Sequence, residues 1–164
     1  MVPNGMPLLA MLQHETMSSA LAPGLFVGDP PPSARQGSMP DRPTKPTDRC
    51  SAFYGDVSDA DFAHAASQLH CDESNAGVLA PSEITPGRFG TVPRHYIRCT
   101  QDRVIPLTGQ DHLITTVDGA ISDKTTTHTL ESSHSPFLSQ PANLSKILID
   151  ICAQSLAEQG AEAR

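Results

Sequence analysis

Between Arg94 and Ser135 the sequence spells strand, helix, strand, and that order leaves little freedom in how the segments can be arranged. Arg94-His95-Tyr96-Ile97-Arg98-Cys99-Thr100 mixes aromatic and β-branched residues, which suit a pleated, half-buried surface. Gln101-Asp102-Arg103 follows as a loop. From Thr108 onward, Leu113, Ile114, Val117 and Ile121 fall on one face of a 3.6-residue repeat, with Thr108 expected to cap the first turn. Lys124-Thr125-Thr126-Thr127-His128-Thr129-Leu130 returns to β-branched composition. Two strands joined by a crossover helix run parallel, so their C-terminal ends share one edge. Ligands of open α/β sheets bind in the crevice outside that edge. Asp102 follows the first strand and His134 the second, which brings a carboxylate and an imidazole to the same place. Taken singly, each reads as an ordinary loop residue. Together they are the partners that a nucleophilic hydroxyl needs: a base to take its proton, and a carboxylate to hold the base in one tautomer.

Two stretches then carry a family resemblance. Pro93-Arg94-His95-Tyr96-Ile97-Arg98-Cys99-Thr100-Gln101-Asp102-Arg103-Val104-Ile105-Pro106 and Glu131-Ser132-Ser133-His134-Ser135-Pro136-Phe137-Leu138-Ser139-Gln140-Pro141 resemble the C-terminal third of an α/β-hydrolase. The group is that of the small esterases, which includes plant methyl esterases, hydroxynitrile lyases and bacterial pyrethroid-type esterases. The resemblance implies an α/β fold in which two parallel strands with covering helices, part of an incomplete sheet, follow a helical, Pro-rich cap. It implies that Asp102 is the triad acid and His134 the general base of a cofactor-independent enzyme that hydrolyses small carboxylic esters. Hydroxynitrile lyases of the group place a Lys close after this His, whereas Ser135-Pro136 stands here, which favours ester hydrolysis as the parental activity.

In this fold the triad runs Ser, then Asp, then His, with the Ser on a Gly-x-Ser-x-Gly elbow. The sequence holds no such pentapeptide, so no nucleophile is assigned in this chain. Ser132, Ser133 and Ser135 flank His134 too closely to be presented on a strand-to-helix elbow, and Ser38 lies in a Pro-rich stretch. Val2-Pro3-Asn4-Gly5 resembles the relatives' segment just after the strand that follows the nucleophile helix. A truncated or mis-started chain is expected on that ground. The alternative to a parental esterase is a catalytically inactive remnant or a binding module. Exposed sheet edges would make self-association possible.

The same resemblance implies that residues 1–87 are a cap region and 88–164 the core segment. Leu8, Leu9, Met11, Leu12, Met17, Leu21, Leu25 and Phe26 give the first part of the cap some helical spacing. Residues 29–48 carry Pro30, Pro31, Pro32, Pro40, Pro43 and Pro46, too little apolar surface to offset chain entropy, so a mobile loop is expected. Ser58-Asp59-Ala60-Asp61 is a capping signature for a helix with Phe62, Ala65, Ala66 and Leu69 as its apolar stripe. Pro141 opens the last helix, whose Leu144, Ile147, Leu148, Ile151, Cys152 and Leu156 should pack on the sheet, with fraying from Glu158 onward.

Composition sets the remaining bounds. The net charge is −7 and the basic residues form no run, which argues against a nucleic-acid partner. No apolar stretch approaches the ~20 residues that cross a bilayer, and the N-terminus lacks the basic start and apolar core of a signal peptide. A cytoplasmic protein is the resulting expectation. Cys50, Cys71, Cys99 and Cys152 form no Cys-x-x-Cys pair and read as free thiols. His64, His70 and Cys71 are ligand types, but His64 and His70 are six positions apart and do not share a helix face, so no metal site is read.

Overall fold

The computed structural model describes residues 52–68, 80–81 and 85–162. The expected first cap helix, the Pro-rich stretch 29–48, and Ser38, Cys50, Leu69, His70 and Cys71 lie outside the described residues. The described elements are α1 (Asp59–Ser67), β1 (His95–Cys99), α2 (Leu107–Ala120), β2 (Thr126–Leu130), α3 (Pro136–Ser139) and α4 (Pro141–Glu162).

β1 and β2 pair in parallel, with His95 opposite Thr126 and Cys99 opposite Leu130. The bonding runs past both strand ends. Thr126 donates to the Arg94 carbonyl at 2.9 Å, Thr100 to Leu130 at 3.0 Å and Gln101 to Ser132 at 3.0 Å. The expected strand, helix, strand order and its parallel sense are therefore what the structure has, and the architecture is α/β with an open two-stranded sheet among the described residues. On one face His95 and His128 meet edge to edge, Nδ1 to Nε2 at 3.0 Å.

α2 covers the strands through Leu113, Val117 and Ile121, which are 1, 2 and 6 % exposed, so the apolar stripe read from the sequence is the buried one. Its start differs from expectation. The helix begins at Leu107, its cap position is Pro106 in extended conformation, and no side chain caps it, so Thr108 is not the cap. The proline fixes φ and sits naturally just ahead of a first turn, which moves the start one residue upstream of the threonine. Gln110, fully buried, does what no pattern announced. Thr100 turns its amide to β2, and Cys99 turns away from it. The Gln110 side chain takes up that other side, accepting from the Cys99 amide at 3.0 Å and donating to the Cys99 and Ile105 carbonyls at 2.9 and 2.8 Å.

α1 is capped as expected: Ser58 Oγ accepts the Asp61 amide at 3.2 Å, and Phe62, Ala65 and Ala66 are half-buried. α4 starts at Pro141 but runs on to Glu162 instead of fraying from Glu158, because its tail is rich in Ala, Gln and Glu, strong helix formers. Its apolar stripe divides. Leu144, Ile147 and Ile151 are half-buried, while Leu148, Leu156 and Cys152 are exposed, since two strands are narrower than the stripe.

The N-terminal ends of the strands are stapled by charge. Arg94, 7 % exposed, donates from Nη2 to the Asp123 carbonyl, lies 3.6 Å from Asp118 Oδ1 and rests 5.6 Å from the Phe89 ring centroid. Asp118 also accepts the Thr125 hydroxyl at 2.6 Å and the Thr125 amide at 3.0 Å, tying the end of α2 to the start of β2. Burial alone would push the Asp118 carboxyl up. The Thr125 bonds and the Arg94 charge more than offset it, and the carboxyl is held below its usual range. A carboxylate depressed in the folded state contributes stability above its unfolded pKa of ~3.9 and loses it as pH falls through the lower folded value. Asp118→Asn should therefore lower unfolding free energy by ~1 to 3 kcal/mol at pH 7, as expected for hydrogen bonds to a charged group. In denaturant titrations the gap between variant and parent should close below about pH 4.

Candidate functional site

The loop after β1 is shaped around one carboxylate. Asp102 donates its amide to the Cys99 carbonyl at 3.3 Å, closing the turn, and Oδ1 accepts the Val104 and Ile105 amides at 2.8 and 2.9 Å. This is the local geometry that Asp adopts readily, a side chain bonding its own backbone two residues on. The other oxygen, Oδ2, accepts from His134 Nδ1 at 2.9 Å, and the Asp102 side chain is only 6 % exposed. Asp102 and His134, picked out from the sequence, are thus hydrogen-bonded neighbours. A carboxylate only accepts, so Nδ1 carries the proton and Nε2 is the free lone pair. The His134 ring is 30 % exposed, and no described residue bonds Nε2. The arrangement can hold an imidazole in one tautomer and present its second nitrogen as a base.

The serines considered as substitute nucleophiles are placed unfavourably. Ser132, Ser133 and Ser135 are 0, 1 and 2 % exposed. Ser132 Oγ donates to the Ser133 carbonyl at 3.1 Å, and Ser133 Oγ donates to Asp56 in a short bond. The hydroxyls of Ser132 and Ser133 are thus engaged away from His134. Tyr96 is pushed up to about 12 by burial, with the Asp102 charge adding to it, and so remains a phenol near neutrality. Burial likewise pushes the Cys99 thiol up and keeps it inert, while Cys152 is a free thiol on the surface. Among the described residues no group of three His, Cys, Asp or Glu is placed to hold a metal ion.

Sequence reasoning missed what surrounds His134. The Phe53 ring meets the His134 ring edge-on, centroids 5.2 Å apart at 77°. Ala52 and Val104 form a buried cluster against which Phe53 and Ile105 pack, so the stretch before α1 is joined to the Asp102 loop. The signal was present: Phe53-Tyr54 is an aromatic pair in a chain with only 4 % aromatic residues. A cleft of about 250 Å³ lies elsewhere. It is lined by Pro93, Arg94, Asp123, Lys124 and Glu158, at the opposite ends of the strands from Asp102 and His134.

Solved structures supply the fold. The chain superposes on a pyrethroid hydrolase from Sphingobium faniae JZ-2 with a TM-score of 0.60 and 17 % identity, covering 96 % of this chain and 58 % of that one. Polyneuridine aldehyde esterase matches with a TM-score of 0.54 and 21 % identity, over 66 % of this chain and 41 % of that one. The fold is that of the C-terminal part of an α/β-hydrolase. In sequence, the chain is 32 % identical over 83 residues to methylesterase 11 of Arabidopsis thaliana, a protein named for that activity and for the chloroplast. That match takes in 50 % of this chain and spans 20 % of the relative's length. No family model matches. Among the described residues no helix is long and apolar enough to cross a membrane.

The carboxylate of Asp102 serves three donors, and an amide in its place can serve them only in part. Asp102→Asn should lower the melting free energy by ~1 to 3 kcal/mol, the cost of leaving buried donors unpaired. A thermal-shift measurement against Asp111→Asn, which alters an exposed ion pair with Arg98, should show the smaller effect in the control.

Proposed function

We propose that this chain carries the acid and base of an ester-hydrolysing α/β-hydrolase, Asp102 orienting His134 and His134 acting as general base toward a serine hydroxyl. The 2.9 Å bond between Asp102 Oδ2 and His134 Nδ1 is the observation that supports this reading. The relatives' names, methylesterase, pyrethroid hydrolase and polyneuridine aldehyde esterase, speak for small esters as the substrate class. In the cycle His134 Nε2 takes the proton as the hydroxyl attacks the ester carbonyl, then returns it to the leaving alkoxide; Asp102 stays ionised and stabilises the imidazolium between the two steps. No cofactor enters. The serine and the oxyanion-hole amides belong to residues outside this sequence, residues 1–87 belong to a cap over the site, and a cytoplasmic setting completes the proposal on sequence grounds alone.

The absence of a Gly-x-Ser-x-Gly pentapeptide favours one second reading, a non-catalytic remnant or binding module. Activity separates the two. Purified as it stands, the chain should hydrolyse nitrophenyl acetate or butyrate no faster than its His134→Ala variant. Joined to an upstream segment with a Gly-x-Ser-x-Gly elbow, it should turn over, and Asp102→Asn should then lower kcat by ~10⁴-fold, as loss of the orienting carboxylate does in serine triads. Turnover indifferent to both Asp102 and His134 would sink the proposal.

A further inference from the structure

The segment before α1 reaches the His134 loop through Asp56 and Phe53. Asp56 stands 77 positions before Ser133, and its two oxygens take both of that residue's donors: Oδ2 accepts the Ser133 amide at 3.1 Å, and Oδ1 the Ser133 hydroxyl in a short bond. The same hydroxyl lies 3.4 Å from the Phe53 carbonyl, and the Phe53 ring is the one that meets His134 edge-on. Ser133 is 1 % exposed, so if Asp56 is lost its amide has no water to turn to and its hydroxyl keeps only the Phe53 carbonyl.

The rest of the loop is secured on either side of Ser133, and at Ser133 the carbonyl accepts from Ser132 Oγ at 3.1 Å, which leaves the amide to Asp56. Upstream, Gln101 donates to the Ser132 carbonyl at 3.0 Å, and Gln140 Nε2 to the Glu131 carbonyl at 2.6 Å. Downstream, the Ser135 carbonyl accepts from Leu138 at 3.0 Å and from Ser139 at 3.2 Å as α3 begins. Ser133 immediately precedes His134, and Asp56 holds that residue at two points, its amide and its hydroxyl. Two bonds to one residue fix its rotation as well as its position, where a single bond would leave it free to swivel.

We propose that Asp56 is the positioning residue for His134: by clamping Ser133 it sets the direction in which the imidazole leaves the backbone, so that Nδ1 meets Asp102 and Nε2 faces outward. The inference rests on the reading of Asp102 and His134 as acid and base. The carboxyl itself behaves as a group bound in its charged form. Burial pushes it up, but the hydroxyl and amide of Ser133 offset that and hold it below the usual range. Positioning of this kind matters because displacement of a reacting group by about 1 Å can cost on the order of 10²-fold in rate.

Long-range ¹H–¹⁵N spectra of the uniformly labelled chain test this without needing turnover, since they separate the two neutral imidazole tautomers. His134, assigned by the signals that vanish in His134→Ala, should show the single Nδ1–H form in the parent chain. Asp56→Asn should replace it with the averaged pattern of an imidazole exchanging between tautomers. Ser58→Ala removes the cap of α1 without touching Ser133 and should leave the His134 signals where they are. A purely structural role for Asp56 predicts instead a lower melting temperature with His134 unchanged, and that result overturns the proposal. If Asp56→Asn does not fold, Ser133→Ala, which keeps the amide bond and deletes the hydroxyl, carries the test: mixed tautomer signals support the positioning role, and unchanged ones refute it. Asp102→Asn distinguishes the two levels. If it abolishes the single tautomer while Asp56→Asn does not, only the positioning role falls; if it too has no effect, the acid and base pair falls with it.

Discussion

Everything at this site depends on a parallel ladder that continues two residues past the strands it pairs. Hydrogen bonds from Thr100 to Leu130 and from Gln101 to Ser132 keep the two chains in step beyond the last strand residue. Asp102 is the next residue on one chain, and His134 lies two beyond Ser132 on the other. A parallel arrangement carries both loops off the same edge, and a slip of one residue in register would turn every side chain on one strand to the opposite face. Thirty-two positions of sequence separation thereby become a 2.9 Å contact.

Asp102 converts that proximity into orientation. One oxygen is spent on the local turn, where the Val104 and Ile105 amides hold it, and this leaves the other aimed at His134. The turn also feeds α2, because the extended Pro106 starts the helix directly after it. Gln110, one turn into that helix, reaches back to the Cys99 backbone and the Ile105 carbonyl. Strand end, Asp102 loop and helix start are thus one hydrogen-bonded unit, and Asp102 cannot shift without disturbing all three.

The parts of this that could be read from sequence are those with a period or a motif. β-Branched and aromatic runs gave the two strands, Leu113 and Val117 with Ile121 just beyond gave the buried face of α2, and the places of Asp102 and His134 after the strands, together with the family resemblance, singled those two out. Gln110 and Asp56 have no such signature. A glutamine inside a helix and an aspartate in a turn look alike whether they face water or close a network, and only the tertiary arrangement decides. Thr108 shows the converse error, since a good capping residue lost to a proline two positions earlier whose backbone already ends the loop. The division of the α4 stripe has a similar cause: periodicity says which residues share a face, but not how much surface is there to cover it.

The apolar core among the described residues is thin, with Leu113 and Val117 on α2 and Ile121 just after it, Cys99 and Leu130 at the strand ends, and Ala52 with Val104 beside the Asp102 loop. Such a core supplies cohesion but little directional constraint, because apolar contacts are non-directional. Direction comes from carboxylates: Asp118 at one end of the sheet, Asp102 and Asp56 at the other. Asp118 and Asp56 are both held below the ordinary carboxylate range by the donors they serve. Both therefore keep their full charge throughout the neutral range in which imidazoles gain and lose protons. The loop that carries His134 is therefore held by Asp56 through bonds that do not change with pH across that range.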